Sequence, residues 1–177
     1  YYTDEGFTPG TEITVSNYTV GPFFCDFDAD GYRLATEGEW EYFCRAGTTG
    51  PFSCNEMNYT SGNCTSCGSG THPVLEQYCV YCANNPGATA PVGNKFSNPW
   101  NLKDVHGNVW EWCWDQYGTY PAGPETDYEG PDSGSGCVFR GGCWYYWAQN
   151  CRSAQRLGNL PGFWFFDLGF RLVRTIN

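Results

Sequence analysis

Two aromatic runs near the C-terminus, Trp144-Tyr145-Tyr146-Trp147 and Phe163-Trp164-Phe165-Phe166, restrict what this chain can fold into more than any other feature. Neither can be wholly buried. In a strand, successive side chains point to opposite faces, so about half of each run looks away from any one core; in a tight loop still fewer are covered. Large rings left at a surface imply a partner. The residues around the runs read as scaffold. Arg140-Gly141-Gly142-Cys143 and Pro161-Gly162 supply glycines where backbone must turn or approach closely, and Leu168 to Val173 alternates like a strand. The pattern predicts a framework carrying outward positions, with Trp144 in the core near Trp110, Trp112 and Trp114, and with Cys151, Arg152, Gly169 and Phe170 holding the backbone.

Composition supports a loop-rich α+β fold with little regular structure. Aromatic residues make up 19% and charged residues 16%, with 23 Gly and 11 Pro, so stacked rings rather than long amphipathic helices supply the core. Residues 1–177 fit one domain, long enough to bury roughly 70% of the surface of the unfolded chain. A net charge of −10, with nine Lys and Arg never three together, argues against nucleic acid and against an anionic membrane surface as partner. No run of 18 apolar residues exists to span a bilayer, and residue 1 opens without a signal-peptide pattern. Eleven cysteines suggest an exported protein, and their odd number leaves one thiol free, metal-bound or intermolecular.

Short alternating pieces in residues 1–31 fit a hairpin-like excursion. A helix follows: Thr36 and Glu39 form a capping box, Trp40, Phe43 and Cys44 one apolar stripe, and Gly47 a stop. Asp104 to Trp112 alternates as a strand approached through a Gly-Asn turn.

Three constellations carry chemistry. Cys64, Cys67, Cys79 and Cys82 form two CxxC knuckles separated by 11 residues; a structural zinc and a pair of disulfides stand as alternatives. Asp104 and Glu111, seven residues apart with a turn that can expose the carbonyls of Gly107 and Val109, offer oxygens of the kind calcium prefers, although such surface carboxylates are more often solvated. Cys143 and Cys151 read as buried inert thiols or a disulfide rather than a redox pair, because no His or Lys stands nearby to stabilise a thiolate. His106 reads as a turn or core residue rather than a catalyst.

Tyr32 to Tyr42, Pro91-Val92-Gly93, His106 to Trp112, Arg140-Gly141-Gly142, Cys151-Arg152-Ser153 and Leu168 to Val173 together resemble the formylglycine-generating-enzyme (sulfatase-modifying factor) family, in the right order across residues 32–174. The resemblance implies a loop-rich variant of the C-type lectin fold, and places Asp104, Gly107, Val109 and Glu111 where that family holds calcium. The family's helix and strand before Tyr32 are not evident, as in an N-terminally truncated member. Its oxidase members use two cysteines, five apart, just after a Gly-Gly-Ser motif. Here that motif is Gly141-Gly142-Cys143, followed by Trp, Tyr, Tyr and Trp, so the pair is missing.

Residues 140–174 also resemble the variable region of retroelement-diversified proteins such as the treponemal surface variable protein. There, fixed positions alternate with positions whose codons vary by adenine mutagenesis; Tyr, Phe, Leu, Asp and Gly are all reachable from an AAC codon. This resemblance implies a non-catalytic, exported protein at a bacterial cell surface or outside the cell, lipid-anchored in its full-length form. It implies a protein or other macromolecular ligand on a display set of Tyr145, Tyr146, Trp147, Gln149, Asn150, Gln155, Leu157, Asn159, Leu160, Phe163, Trp164, Phe165, Phe166 and Asp167. The alternative is a formylglycine-generating-type thiol oxidase, or a related oxidoreductase, using Cys143. A calcium-dependent sugar binder is disfavoured, since Glu-Pro-Asn, Gln-Pro-Asp and Trp-Asn-Asp are all absent.

Overall fold

The computed structural model describes residues 25–54, 72–85, 87–163 and 165–174. Most of the hairpin reading for residues 1–31 lies outside them. The first strand, β1 (Tyr32–Leu34), leads into α1 (Glu37–Arg45). Thr36 starts the helix because its hydroxyl accepts from the Glu39 N–H at 3.2 Å while the Glu39 carboxylate accepts from the Thr36 N–H at 2.8 Å, satisfying two otherwise orphaned donors. The apolar stripe then buries Trp40 and Cys44, with Phe43 packed beside them. The helix stops as expected: Ala46 is the C-cap, at φ 47°, and Gly47 follows at the C′ position with a left-handed φ of 83°. Buried Asn98 donates its amide to the carbonyls of Phe43 and Cys44, which replaces water at the helix end.

Asp115 joins the sheet to this helix. Its Oδ2 accepts from the Glu37 N–H at the start of α1, where the helix dipole favours an anion. Burial nevertheless dominates, and with the nearby Glu37 charge it pushes the Asp115 carboxyl up to about 6. A carboxyl raised in the folded state contributes stability that is complete below its unfolded pKa and is lost as pH rises through the folded value. Asp115→Asn is therefore expected to gain about 2 kcal/mol over the parent protein between pH 4 and pH 7.5. Urea titrations of both proteins at the two pH values check this, and a difference that does not change with pH would contradict it.

A short helix, α2 (Leu75–Tyr78), precedes β2 (Trp110–Gln116), β3 (Cys137–Arg140), β4 (Arg156–Asn159), β5 (Leu168–Phe170) and β6 (Leu172–Arg174). One sheet has the order β4-β3-β2-β5, antiparallel except for the parallel pair β2 and β5; the other pairs β1 with β6. The Gly-Asn turn forms as expected, with Gly107 and Asn108 at φ 76° and 67°, and the strand runs on to Gln116. Three apolar clusters fill the spaces between layers. Trp40, Cys44, Val105, Cys113 and Val138 lie between α1 and the sheet. Trp110, Phe139 and Cys143 form a second cluster, and Phe52, Leu75, Cys79, Tyr81, Ala148 and Cys151 a third. The last two sit directly under the first aromatic run. No helix among the described residues is long and apolar enough to cross a membrane.

Candidate functional site

After β3 the chain reverses through Gly141 and Gly142, at φ 96° and 76°. A side chain at Gly142 would place its Cβ 2.5 Å from the Cys151 Sγ and 2.8 Å from the Asn150 carbonyl, so the following 3-10 turn (Ala148–Cys151) packs here only against glycine. Backbone bonds then pin the first aromatic run at both ends. The Trp144 N–H donates to the Asn108 carbonyl at 3.0 Å, and the Cys82 N–H donates to the Tyr146 carbonyl at 3.0 Å. Ala148 and Cys151 plunge into the core and leave the intervening rings outside.

Tyr145 is 62% exposed, Tyr146 40% and Trp147 44%. The second run behaves likewise: Phe163, Phe165 and Phe166 are 48%, 41% and 69% exposed. Trp164 lies outside the described residues. Trp144 joins the two runs, with ring centroids 5.5 Å from Tyr145 and 5.7 Å from Phe166. Tyr146 meets Tyr145 at 6.0 Å and Trp110 at 5.9 Å, both edge-on, and Phe163 stacks on Phe165 at 5.8 Å. Beside the first run opens a cavity of about 630 Å³, bounded across from the rings by Cys82, Asn85 and Gly87.

The structure revises several expected positions. Trp144 is only half-buried and forms the floor of the aromatic surface instead of the core. Asp167, placed in the display set by the variable-region resemblance, is buried instead, where it accepts from the Cys143 Sγ at 3.1 Å. Leu157 packs into the Trp110 cluster. Gln155, Leu157 and Asn159 lie on or beside β4, the sheet edge opposite β5, so they are separated from the rings beside β5 by two strands. Gln149 and Asn150 are half-buried at the cavity rim, and Leu160 is exposed. Phe170, expected to hold the backbone, is 66% exposed.

Two of the expected metal ligands are engaged elsewhere. Glu111 is buried, and Arg171 takes both its oxygens at 2.7 and 3.0 Å while the Trp40 indole donates to Oε2 at 2.8 Å. The Asp104 Oδ2 accepts from the Gly93 N–H. Among the zinc candidates, Cys64 and Cys67 lie outside the described residues; Cys82 is disulfide-bonded and so supplies no thiolate, whereas Cys79 is a buried free thiol beside Cys151. No group of three or more metal-ligating side chains occurs among the described residues.

Cys143 and Cys151 are both free and buried, with no disulfide between them. Burial and the neighbouring Asp167 push the Cys143 thiol well above its ordinary value, which favours the protonated form over the nucleophilic thiolate. His106 is a core residue. It is fully buried and held neutral, with burial lowering its pKa to about 4; Nε2 accepts from the Ser53 N–H and Nδ1–H donates to the Cys151 carbonyl.

A second groove, of about 810 Å³, was not foreseen from sequence. Its walls come from α1, β2 and residues 120–129, including Glu37, Glu41, Asp115, Tyr120 and Arg140. No local pattern links segments so far apart. Most of its buried charge is internally compensated: Arg140 and Arg156 both reach Glu37, and the Tyr120 hydroxyl donates to the same carboxylate at 2.7 Å.

Comparison with known proteins places these features in a family setting. A sulfatase-modifying factor enzyme 1-like domain model matches residues 9–176. The formylglycine-generating enzyme of Streptomyces coelicolor is 34% identical over 154 residues, spanning 83% of this chain and 48% of that protein. A serine/threonine-protein kinase pkn1 of Chlamydia caviae is 31% identical over 151 residues, 83% of this chain and 22% of that protein. The chain thus spans about half or less of these curated relatives. Among solved structures, Treponema denticola variable protein 1 superposes with a TM-score of 0.70 at 37% identity, over 83% of this chain and 49% of that one. The loop-rich α+β architecture is the one these relatives share.

Proposed function

This chain belongs to the sulfatase-modifying factor enzyme 1-like family, and from that premise we propose that it is a non-catalytic ligand-binding member that uses the aromatic surface around Trp144. The observation carrying this reading is the division within residues 140–174. Gly142, Cys143, Ala148 and Cys151 are buried by packing, while Tyr145, Tyr146, Trp147, Phe163, Phe165 and Phe166 face solvent together. Rings exposed at such density suit a protein or other macromolecular ligand, because Tyr and Trp give large contact area with few rotatable bonds. A few central rings would carry most of the affinity. The thiol-oxidase alternative draws support from the enzyme relatives, but Cys143 is buried, protonated and lacks the second cysteine. We derive no step through zinc or calcium.

Likeness to a treponemal variable protein supports the finer reading, that a diversity-generating retroelement rewrites the exposed positions and that the protein works outside a bacterial cell. A rigid scaffold tolerates such rewriting because exposed substitutions away from caps and cores usually change stability by less than about 0.5 kcal/mol. Sequencing the 3′ ends of sibling genes tests it. Differences are expected to concentrate at codons for Tyr145, Tyr146, Trp147, Gln149, Asn150, Leu160, Phe163, Phe165 and Phe166, sparing Gly142, Cys143, Ala148 and Cys151. Differences spread evenly over both groups would refute the diversified-surface reading.

A further inference from the structure

The Trp144 indole Nε1 is enclosed and has no hydrogen-bond partner. A buried donor left unpaired is unfavourable, and a ligand acceptor can remove that cost. The rings touching Trp144 are Tyr145 and Phe166, both well exposed. Exposed side chains change rotamer within nanoseconds, so turning either ring aside opens the indole toward the neighbouring cavity.

The walls of that cavity select among acceptors. Among the described residues no acidic or basic side chain lines it, although the chain as a whole carries a net charge of −10. Burying an ionic ligand group there would leave it unpaired. Trp144, Tyr145 and Tyr146 meet at interplanar angles of 75° and 86°, which makes ridges with slots between ring faces suited to flat apolar rings. Polar capacity is sparse. Asn85 spends its amide within its own turn, accepting from Gly87 and Ala88 and donating to the Ala88 carbonyl. The side chains of Gln149 and Asn150 remain at the rim. With the Tyr145 and Tyr146 hydroxyls, the Trp147 indole and the Gln149 and Asn150 amides in the lining, a glycan is the competing occupant, and the experiment includes it. A proline-rich segment matches better: its tertiary amides present carbonyl acceptors without N–H groups that would need a partner, and its extended left-handed helix is already ordered.

Resting on the ligand-display reading above, we propose that the cleft between Trp144 to Trp147 and the residues Cys82, Asn85 and Gly87 binds an uncharged, proline-rich segment of a protein partner, with the Trp144 indole N–H donating to a ligand carbonyl. The probe is a synthetic decaproline peptide, titrated against the chain by tryptophan fluorescence and calorimetry, with maltoheptaose as the glycan arm. Saturable decaproline binding is expected. Trp144→Phe, which keeps the ring and removes the donor, should weaken it roughly 2- to 10-fold. Tyr145→Ala, at an exposed position that leaves the fold intact, should weaken it about 30-fold, as a central ring does. Tyr42→Ala, at an exposed ring that meets Trp100 edge-on away from the cleft, should leave it unchanged. Absence of saturable binding, equal binding by Trp144→Phe and Tyr145→Ala, or an equal loss in Tyr42→Ala would overturn the proposal. Maltoheptaose binding in place of decaproline would reassign the cleft to a glycan. The display reading survives each of those results, since it concerns the exposed aromatic surface as a whole and not this one occupant of the cleft.

Discussion

Arg140→Met is expected to cost the fold about 3–5 kcal/mol, seen as a lower urea midpoint with an unchanged slope. Arg140 is wholly buried, and its guanidinium stacks over Trp40 at 5.6 Å. Nη1 donates to the Gln155 carbonyl at 2.9 Å and Nη2 donates to the Glu41 carboxylate. Nε lies 3.2 Å from a Glu37 oxygen, an ionic contact not aligned as a hydrogen bond. Methionine replaces most of the stem, and a swap of similar volume usually costs under about 1.5 kcal/mol. The larger effect is electrostatic. Glu37 is 4% exposed and would keep only Arg156 and Tyr120 as partners, beside an Asp115 already strained by the same charge. The double variant Arg140→Met with Glu37→Gln should therefore lose at least about 1 kcal/mol less than the sum of the single changes. A loss below about 1 kcal/mol for Arg140→Met alone would put this network in the class of solvent-screened surface pairs.

How much of this was legible in the sequence depended on the range of each interaction. The capping box of Thr36 and Glu39 was readable because both partners lie within one helical turn. The Gly107-Asn108 turn was readable for the same reason. Arg140 announced itself through its Arg-Gly-Gly setting, but its partner Glu41 is 99 residues away and nothing local points to it. Alternation misplaced Phe170, because a period of two says which residues share a face without saying which face meets the core, and the resemblance that put Asp167 in the display set carries no sign of its buried contact with Cys143. Glu111 was offered to calcium on its spacing from Asp104, whereas Arg171, 60 residues on, claims it. Cys79 and Cys82, three apart in sequence, have separate fates because one reaches the core cluster under Ala148 and the other is drawn into a disulfide.

Gly107→Ala is expected to lose on the order of 4 kcal/mol or more, a large fraction of the stability of an ordinary domain. Gly107 sits at φ 76°, which alone costs another residue about 1–2 kcal/mol. The steric term is larger: a Cβ there would lie 2.0 Å from the Val80 carbonyl oxygen and 2.9 Å from the Cys79 Sγ. The oxygen belongs to backbone that cannot swing away, since Val80 bridges Gly107 and accepts from the Asn108 N–H at 2.9 Å. Gly107 also donates to the Gly141 carbonyl at 2.7 Å, and the Asn108 carbonyl holds the Trp144 N–H. Any shift at Gly107 is thus passed to the floor of the aromatic surface through two hydrogen bonds. Tyr145→Ala and Phe166→Ala should behave in the opposite way, each changing stability by less than about 1 kcal/mol, because their rings are 62% and 69% exposed. Urea denaturation of the three variants side by side measures the contrast that a rigid frame with interchangeable outer residues requires. If removing either ring destabilised the chain as much as Gly107→Ala, the rings would be core in energetic terms, and a surface free to vary would have no structural basis.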